Sequence, residues 1–290
     1  MAISISPIPL LSISSNPDIS SSTSLNHRFV SNLSNIRFHS VLSIYSRPLD
    51  RNHQRRPSIV SSQLCTPETP EILDTSLLIL TENASEEELW AAACLRIRSF
   101  YDFQDTFGIQ DHKRYLAERE FEALKERIAG KRIGFRRVSC INATVPLTNI
   151  SKFSELSAEC KYSANGEERV VVGTLDLNQC VRLPEELTGL KPEGIGADFS
   201  RAYLSNVCVA KELHRNGLGH MLVEKSKAIA EDWGISDLYV HVAVDNEAAK
   251  RLYLRSGFTY ENEEPVWQAQ FLDRPARLLL WTEIPHIINL

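Results

Sequence analysis

The chain has 290 residues, with 32 Lys+Arg against 37 Asp+Glu and a formal net charge of −5. Up to Cys65 it holds 17 Ser, six Arg, no Lys and only two acids, Asp18 and Asp50, so the remainder carries −9. That acidity argues against a general nucleic-acid binder, which shows a basic face, and no apolar run approaches the ~18 residues needed to span a membrane.

Residues 1–62, rich in Ser and nearly free of acid, have the composition of an organellar transit peptide. A disordered tail would share the low hydrophobicity, but the scarcity of acid favours targeting. Ser dominates and no Arg precedes Arg28, so the chloroplast stroma is expected rather than the mitochondrion. Residues 63–75, with Pro67 and Pro70, read as a linker, and 76–290 as one domain large enough for a sizeable core. The six cysteines form no C-x-x-C pair and have no His at zinc spacing, so reduced thiols and no metal are expected.

Leu77–Thr81 reads as a strand. Ser85-Glu86-Glu87-Glu88 is a capping-box pattern in which Ser85 caps and Glu88 reaches back. Trp90, Cys94, Ile97 and Tyr101 then recur at helical spacing, and Lys113–Arg132 gives a second, highly charged helix. Val138–Val145 and Arg169–Leu175 are β-rich runs joined by a polar loop. Next come a strand at Tyr203–Val209, a helix at Leu218–Trp233 and a strand at Leu238–Val244. Asn246–Ser256 is a helix and Leu278–Thr282 a late strand. This alternation predicts an α/β or mixed-sheet domain with helices on both faces.

Two segments carry chemistry. In Val207-Cys208-Val209-Ala210-Lys211-Glu212-Leu213-His214-Arg215-Asn216-Gly217-Leu218-Gly219-His220 a strand runs through a turn into a helix, with two glycines at the helix start. Free backbone N–H groups of a first helical turn make an anion site. A dinucleotide fingerprint is not met, because Leu222 stands at its third glycine position, and the Gly-Lys-Ser/Thr of a P-loop is absent. What is left is a cradle suited to a pyrophosphate, or a turn that binds nothing. In the second segment, Asp245 or Asn246 caps a helix that Gly257 ends. Asn246, Ala249 or Lys250, and Tyr253 share a face of it. Tyr253 could line a ligand there or be a packed core aromatic.

The two segments together resemble the GNAT superfamily of acetyl-CoA-dependent N-acetyltransferases. The downstream pattern N-x-x-A-x-x-L-Y-x-x-x-G-F is met by Asn246, Ala249, Leu252, Tyr253, Gly257 and Phe258. The upstream R/Q-x-x-G-x-G/A is met by Gly217 and Gly219, with His214 in its leading position and Arg215 beside it. With its leader, and with Gln268–Pro275 near the end, the chain looks like the plant plastid members of that group. The resemblance implies the GNAT fold: a mixed, mostly antiparallel sheet with splayed middle strands and helices on both faces. It implies acetyl-CoA as co-substrate, with pantetheine along Val207, Cys208 and Val209 and a main-chain N–H, that of Val207, polarising the thioester. Pyrophosphate is implied on the amides of Arg215, Asn216, Gly217, Leu218, Gly219 and His220. Asn246 with Glu247 and Ala248 is implied for the pantetheine arm, and Tyr253 as the acid for the departing thiolate. The partners implied are proteins or peptides presenting free amines, at N-termini or lysines. Small amines of the arylalkylamine type, or a catalytically silent acetyl-CoA module, are the alternatives. No Glu stands in Tyr203–Val209, so Asp198, His241 or a relayed water are the candidates for a base, with His241 read as structural. Cys208 lacks an evident His partner for an acetyl-cysteine route.

Overall fold

The computed structural model describes residues 75–285 apart from 83, 105–106, 133, 181–199 and 272–273. The expected transit segment, its linker up to Asp74, and Asp198 lie outside the described residues. Among the described residues eight strands form one sheet: β1 (Ile79–Thr81), β2 (Phe135–Pro146), β3 (Lys161–Ala164), β4 (Glu167–Cys180), β5 (Arg201–Val209), β6 (Asp237–Ala243), β7 (Thr259–Glu263) and β8 (Arg277–Glu283). The order is β1-β2-β4-β5-β6-β8-β7, with β3 also paired to β4. Every pairing is antiparallel except the central β5–β6 pair, which is parallel. The helices are α1 (Glu86–Phe100), α2 (Ile109–Ile128), α3 (Ser154–Glu159), α4 (Leu218–Asp232), α5 (Glu247–Arg255) and α6 (Val266–Phe271). No helix among the described residues is long and apolar enough to cross a membrane.

The layers follow from β4. Val170, Val171, Val172, Leu175 and Leu177 are fully buried, as expected of a strand covered on both faces. At Gly173 an added Cβ would lie 2.9 Å from Leu222 of α4. Thr174 and Asp176, of opposite parity, bond Arg96 of α1. Helices therefore cover both faces, as the alternation of elements predicts.

Local signals explain most element boundaries. Ser85 accepts from the Glu88 N–H at 3.3 Å, but the Glu88 side chain does not reach back to close the capping box. It turns inward, accepting from the Asn142 amide at 2.9 Å and from Thr81, and so ties α1 to β1 and β2. The second helix runs four residues earlier than its charge pattern suggests. It ends in a Schellman turn in which Gly130, at φ 68°, donates to Arg127 O and Lys131 donates to Glu126 O. Four elements escape the hydrophobic pattern: α3, β3, β7 and α6, the first two occupying the stretch expected as a polar loop. β3 joins β4 through Asn165-Gly166, both at positive φ, with Ala164 opposite Glu167. That is the two-residue hairpin such a dipeptide favours. All five residues of β7 are exposed, so no apolar alternation marks it.

Candidate active site

The parallel β5–β6 pair sets the geometry. Its register runs from Arg201–Asp237 to Leu204–Val240 and stops there, although both strands continue, to Val209 and Ala243. Beyond Leu204 the strands diverge and open a V. A bulge accompanies the divergence. Thr174 pairs with Cys208 and Asp176 with Ser205, so Leu175 alone faces Asn206 and Val207. Asn206 sits at φ 54°, the left-handed conformation that the first residue of such a bulge takes. The extra residue leaves backbone polar groups without partners in the β4 ladder at the edge of the V.

The loop after β5 is held rather than loose. Glu212 accepts a fork from Arg98 of α1, at 2.7 and 3.1 Å. Burial pushes the Glu212 carboxyl up, but this fork outweighs it and the net shift is down. His214, in the departing position of the motif, turns back so that Nε2 lies 3.0 Å from Val209 O. Asn216 donates to the carbonyls of Leu213 and His214 at 3.3 and 3.4 Å. Arg215 and Gly217 both take positive φ, 71° and 80°, and the chain enters α4. Met221 is the first residue of α4 to donate back, to Gly217 O at 3.1 Å. The amides of Leu218, Gly219 and His220 therefore sit ahead of the helix's own ladder at its electropositive end. Val207, Cys208 and Val209 are buried, whereas Arg215, Gly217 and His220 are exposed.

The second motif packs against the first. An added Cβ on Gly219 would stand 3.2 Å from Leu252 Cδ2, and His220 Nδ1 lies 3.0 Å from Ser256 Oγ. Lys227 also donates to Ser256 O. Each letter of the motif has a physical reason. Asn246 caps α5 through its Oδ1, which accepts from Ala249 N at 3.0 Å. Ala249 is fully buried. Gly257, at φ 80°, makes the C-terminal turn in which Phe258 N–H donates to Tyr253 O at 3.0 Å, and the Phe258 ring then packs edge-on to Tyr253 at 5.4 Å. Glu247 is exposed and pairs with Lys250, and Ala248 is half-buried. The Asn246 oxygen thus accepts one bond from the helix, while its Nδ2 can donate to another partner.

Tyr253 is 0% exposed, and its hydroxyl has no hydrogen-bond partner among the described residues. Burial, with Tyr203 nearby, pushes the phenol well above its ordinary value. An orphaned buried hydroxyl costs about 1–3 kcal/mol, which a ligand atom reaching it would recover. Cys208 is buried and burial pushes its thiol up to about 11, so it has little thiolate at neutral pH. Tyr203, which spacing alone does not reveal, stands with His241 at the apex of the V. Tyr203 Oη lies 3.0 Å from His241 Nδ1. Burial, with the cationic Arg277 nearby, pulls the His241 imidazole down to about 3. It is therefore neutral at physiological pH, with Nδ1 against the Tyr203 hydroxyl.

Comparison with known proteins shows the family. Residues 146–258 match the model of the Acetyltransferase (GNAT) family. The chain is 61% identical over 232 residues to GCN5-related N-acetyltransferase 7, chloroplastic, of Arabidopsis thaliana, covering 79% of this chain and 83% of that one. It is 30% identical over 219 residues to GCN5-related N-acetyltransferase 6, chloroplastic, of the same plant, covering 71% of each. Among solved structures, the ribosomal-protein-S18-alanine N-acetyltransferase from Escherichia coli is 17% identical, with a TM-score of 0.43 over 73% of this chain and 98% of that one. The PaiA N-acetyltransferase from Thermoplasma acidophilum, in complex with coenzyme A, is 11% identical, with a TM-score of 0.43 over 71% of this chain and 98% of that one. The chain belongs to the GNAT family of GCN5-related N-acetyltransferases and is an acetyl-transferring enzyme.

Proposed function

We propose that the protein acetylates N-terminal α-amines and lysine ε-amines of proteins in the chloroplast stroma, using acetyl-CoA and direct attack of the amine on the thioester. The observation that carries this reading is the buried, unpartnered Tyr253 hydroxyl, on a helix packed against the Leu218–His220 amides. Both an orphaned donor and a helix start free for an anion fit a ligand with a sulfur at one end and a pyrophosphate along its length. Acetyl-CoA, when bound, supplies an activated acyl group. The chain's own residues do the rest.

The amides from Arg215 to His220 hold the pyrophosphate by oriented N–H groups and helix dipole. Val207, Cys208 and Val209 align the pantetheine, and Asn246, Glu247 and Ala248 flank the arm. The Val207 N–H, at the bulge, polarises the thioester carbonyl as a fixed dipole. Tyr253 faces the sulfur. Its phenol lies far above a thiol near 8.5, so it donates a hydrogen bond to the departing sulfur rather than fully surrendering its proton. His241, held down to about 3, is too weakly basic and too enclosed to take the amine's proton, which leaves to a relayed water. An α-amine near pKa 8 is about half neutral at pH 8, whereas a lysine near 10.4 is under about 1% neutral. N-terminal amines therefore need less help.

Trp267 and Phe271 support a peptide over a small amine. A small-amine enzyme encloses its substrate in aromatics, yet these two are 69% and 84% exposed, beside the β8 start that pairs with the end of β6. The chloroplast is the address given in the names of both relatives, and residues 1–62 serve as its transit peptide.

The test is acetylation of a mixed peptide library by the purified chain, with each added acetyl group located by mass spectrometry. Acetyl on α-amines and lysines is expected, with kcat lowered roughly 10²-fold in Tyr253→Phe. Turnover of small amines alone would replace the peptide reading. Cofactor binding with no turnover of either would leave a silent module.

A further inference from the structure

We propose that Asn206 is a positioning residue: its carboxamide, clamped by the buried Asp176, fixes the β5 bulge and so aims the Val207 N–H into the V. The inference rests on the role proposed above for that N–H. Glycine takes the left-handed conformation of a bulge without steric cost, so conformation alone does not call for Asn at φ 54°. Its side chain has a second task. Nδ2 donates to Asp176 Oδ2 at 2.8 Å, on the strand that the bulge stands against.

Asp176 is built to hold that bond. It is 0% exposed and accepts from Arg96 at 2.6 and 3.1 Å and from Arg127 at 3.2 Å. Arg96 comes from α1 and is 1% exposed, and Arg127 comes from α2. Glu120 of α2 pairs with both arginines, and Cys140 of β2 and Thr174 of β4 bond Arg96. Burial alone would raise the Asp176 carboxyl, but the two arginines and Asn206 hold it below the usual range. It is an ionised acceptor at neutral pH, and charge-assisted bonds are the stronger kind. Asn178 grips β5 just before the bulge, donating to Tyr203 O at 3.1 Å and to Ser205 Oγ at 2.9 Å. Two helices and β4 thus define where the bulge lies. A buried ion pair is seldom more stabilising than a well-packed apolar substitute, and its value here is geometric.

The test compares wild type, Asn206→Gly and Asn206→Asp as full chains. Asn206→Gly keeps the backbone conformation and loses the clamp. Its kcat for acetyl transfer should fall roughly tenfold or more, with KM for acetyl-CoA within about twofold. In Asn206→Asp two carboxylates face each other, so one is held protonated to higher pH. Its activity relative to wild type should be lowest above neutrality and recover as pH falls, because a protonated carboxyl again donates to Asp176. A Gly variant with unchanged kcat, or an Asp variant whose ratio to wild type ignores pH, overturns the clamp. Amide hydrogen exchange at residues 206–208 reads the bulge without turnover: faster exchange in Asn206→Gly than in wild type is expected, and equal rates would overturn it. Absence of wild-type turnover would overturn the proposed function and leave that readout to judge the clamp.

Discussion

At the scale of single residues, the site depends on groups whose environment opposes their charge. His241 is the sharpest case, because burial holds its imidazole down to about 3, against about 6.5 in an unfolded chain. Between those values the unfolded state binds the extra proton, so folding stability falls as pH drops below about 6.5 and the loss levels off near 3. Thermal unfolding from pH 7 to 5 should show a decline of about 2 kcal/mol from this group alone. His241→Gln should flatten that part of the curve. Asp176 acts in a lower window: its carboxyl is held below the usual value, so its contribution is intact above about pH 4 and is lost as pH falls through the folded-state value. Tyr253 was singled out by the resemblance of Asn246, Ala249, Leu252, Tyr253, Gly257 and Phe258 to a family pattern, since spacing alone left it either a ligand-lining or a core aromatic. Tyr203, Asn206 and Asp176 were not, because their roles arise from register across strands.

At the scale of elements, two helix boundaries make the site. The start of α4 depends on Gly217 at φ 80°, where nothing lies within 4 Å of an added Cβ. The cost of Gly217→Ala is therefore a backbone cost, about 1–2 kcal/mol, and it should tilt the Leu218–His220 amides and raise KM for acetyl-CoA several-fold. Gly217→Asn should recover most of the stability, since Asn visits that conformation more readily. Chemical denaturation and acetyl-CoA titration of both variants check this. The end of α5 is fixed by Gly257 and by Phe258 packed on Tyr253, which orders the Tyr253 ring without using its hydroxyl. Helices and central strands were readable because apolar period and caps mark them. The hairpin at Asn165-Gly166 was also written in the sequence as a turn dipeptide, and its polar strand β3 hid it. Exposed edge strands such as β7 have no inward face to impose a pattern.

At the scale of the whole molecule, the Ser-rich, acid-poor residues 1–62 differ sharply in composition from the acidic remainder, and the proposed targeting role of the former can be tested apart from catalysis. A reporter carrying residues 1–62 at its N-terminus should enter chloroplasts, and the chain lacking them should stay in the cytosol; fluorescence microscopy distinguishes the two. By itself the sequence determined the alternation of elements, the glycine-bearing strand-to-helix turn and the capped helix that follows. These are local, dictated by backbone sterics, capping and hydrophobic period within a few residues of each other. The tertiary structure alone decided that β5 and β6 part after Leu204, and that the Glu88 carboxylate serves β1 and β2 rather than its own helix. It also decided that Arg96 and Arg127 reach Asp176 behind the bulge. Most of these partners are far apart in the chain, for example Arg96 and Asp176 at a separation of 80, and no local pattern records which buried charge a strand will bring to which helix.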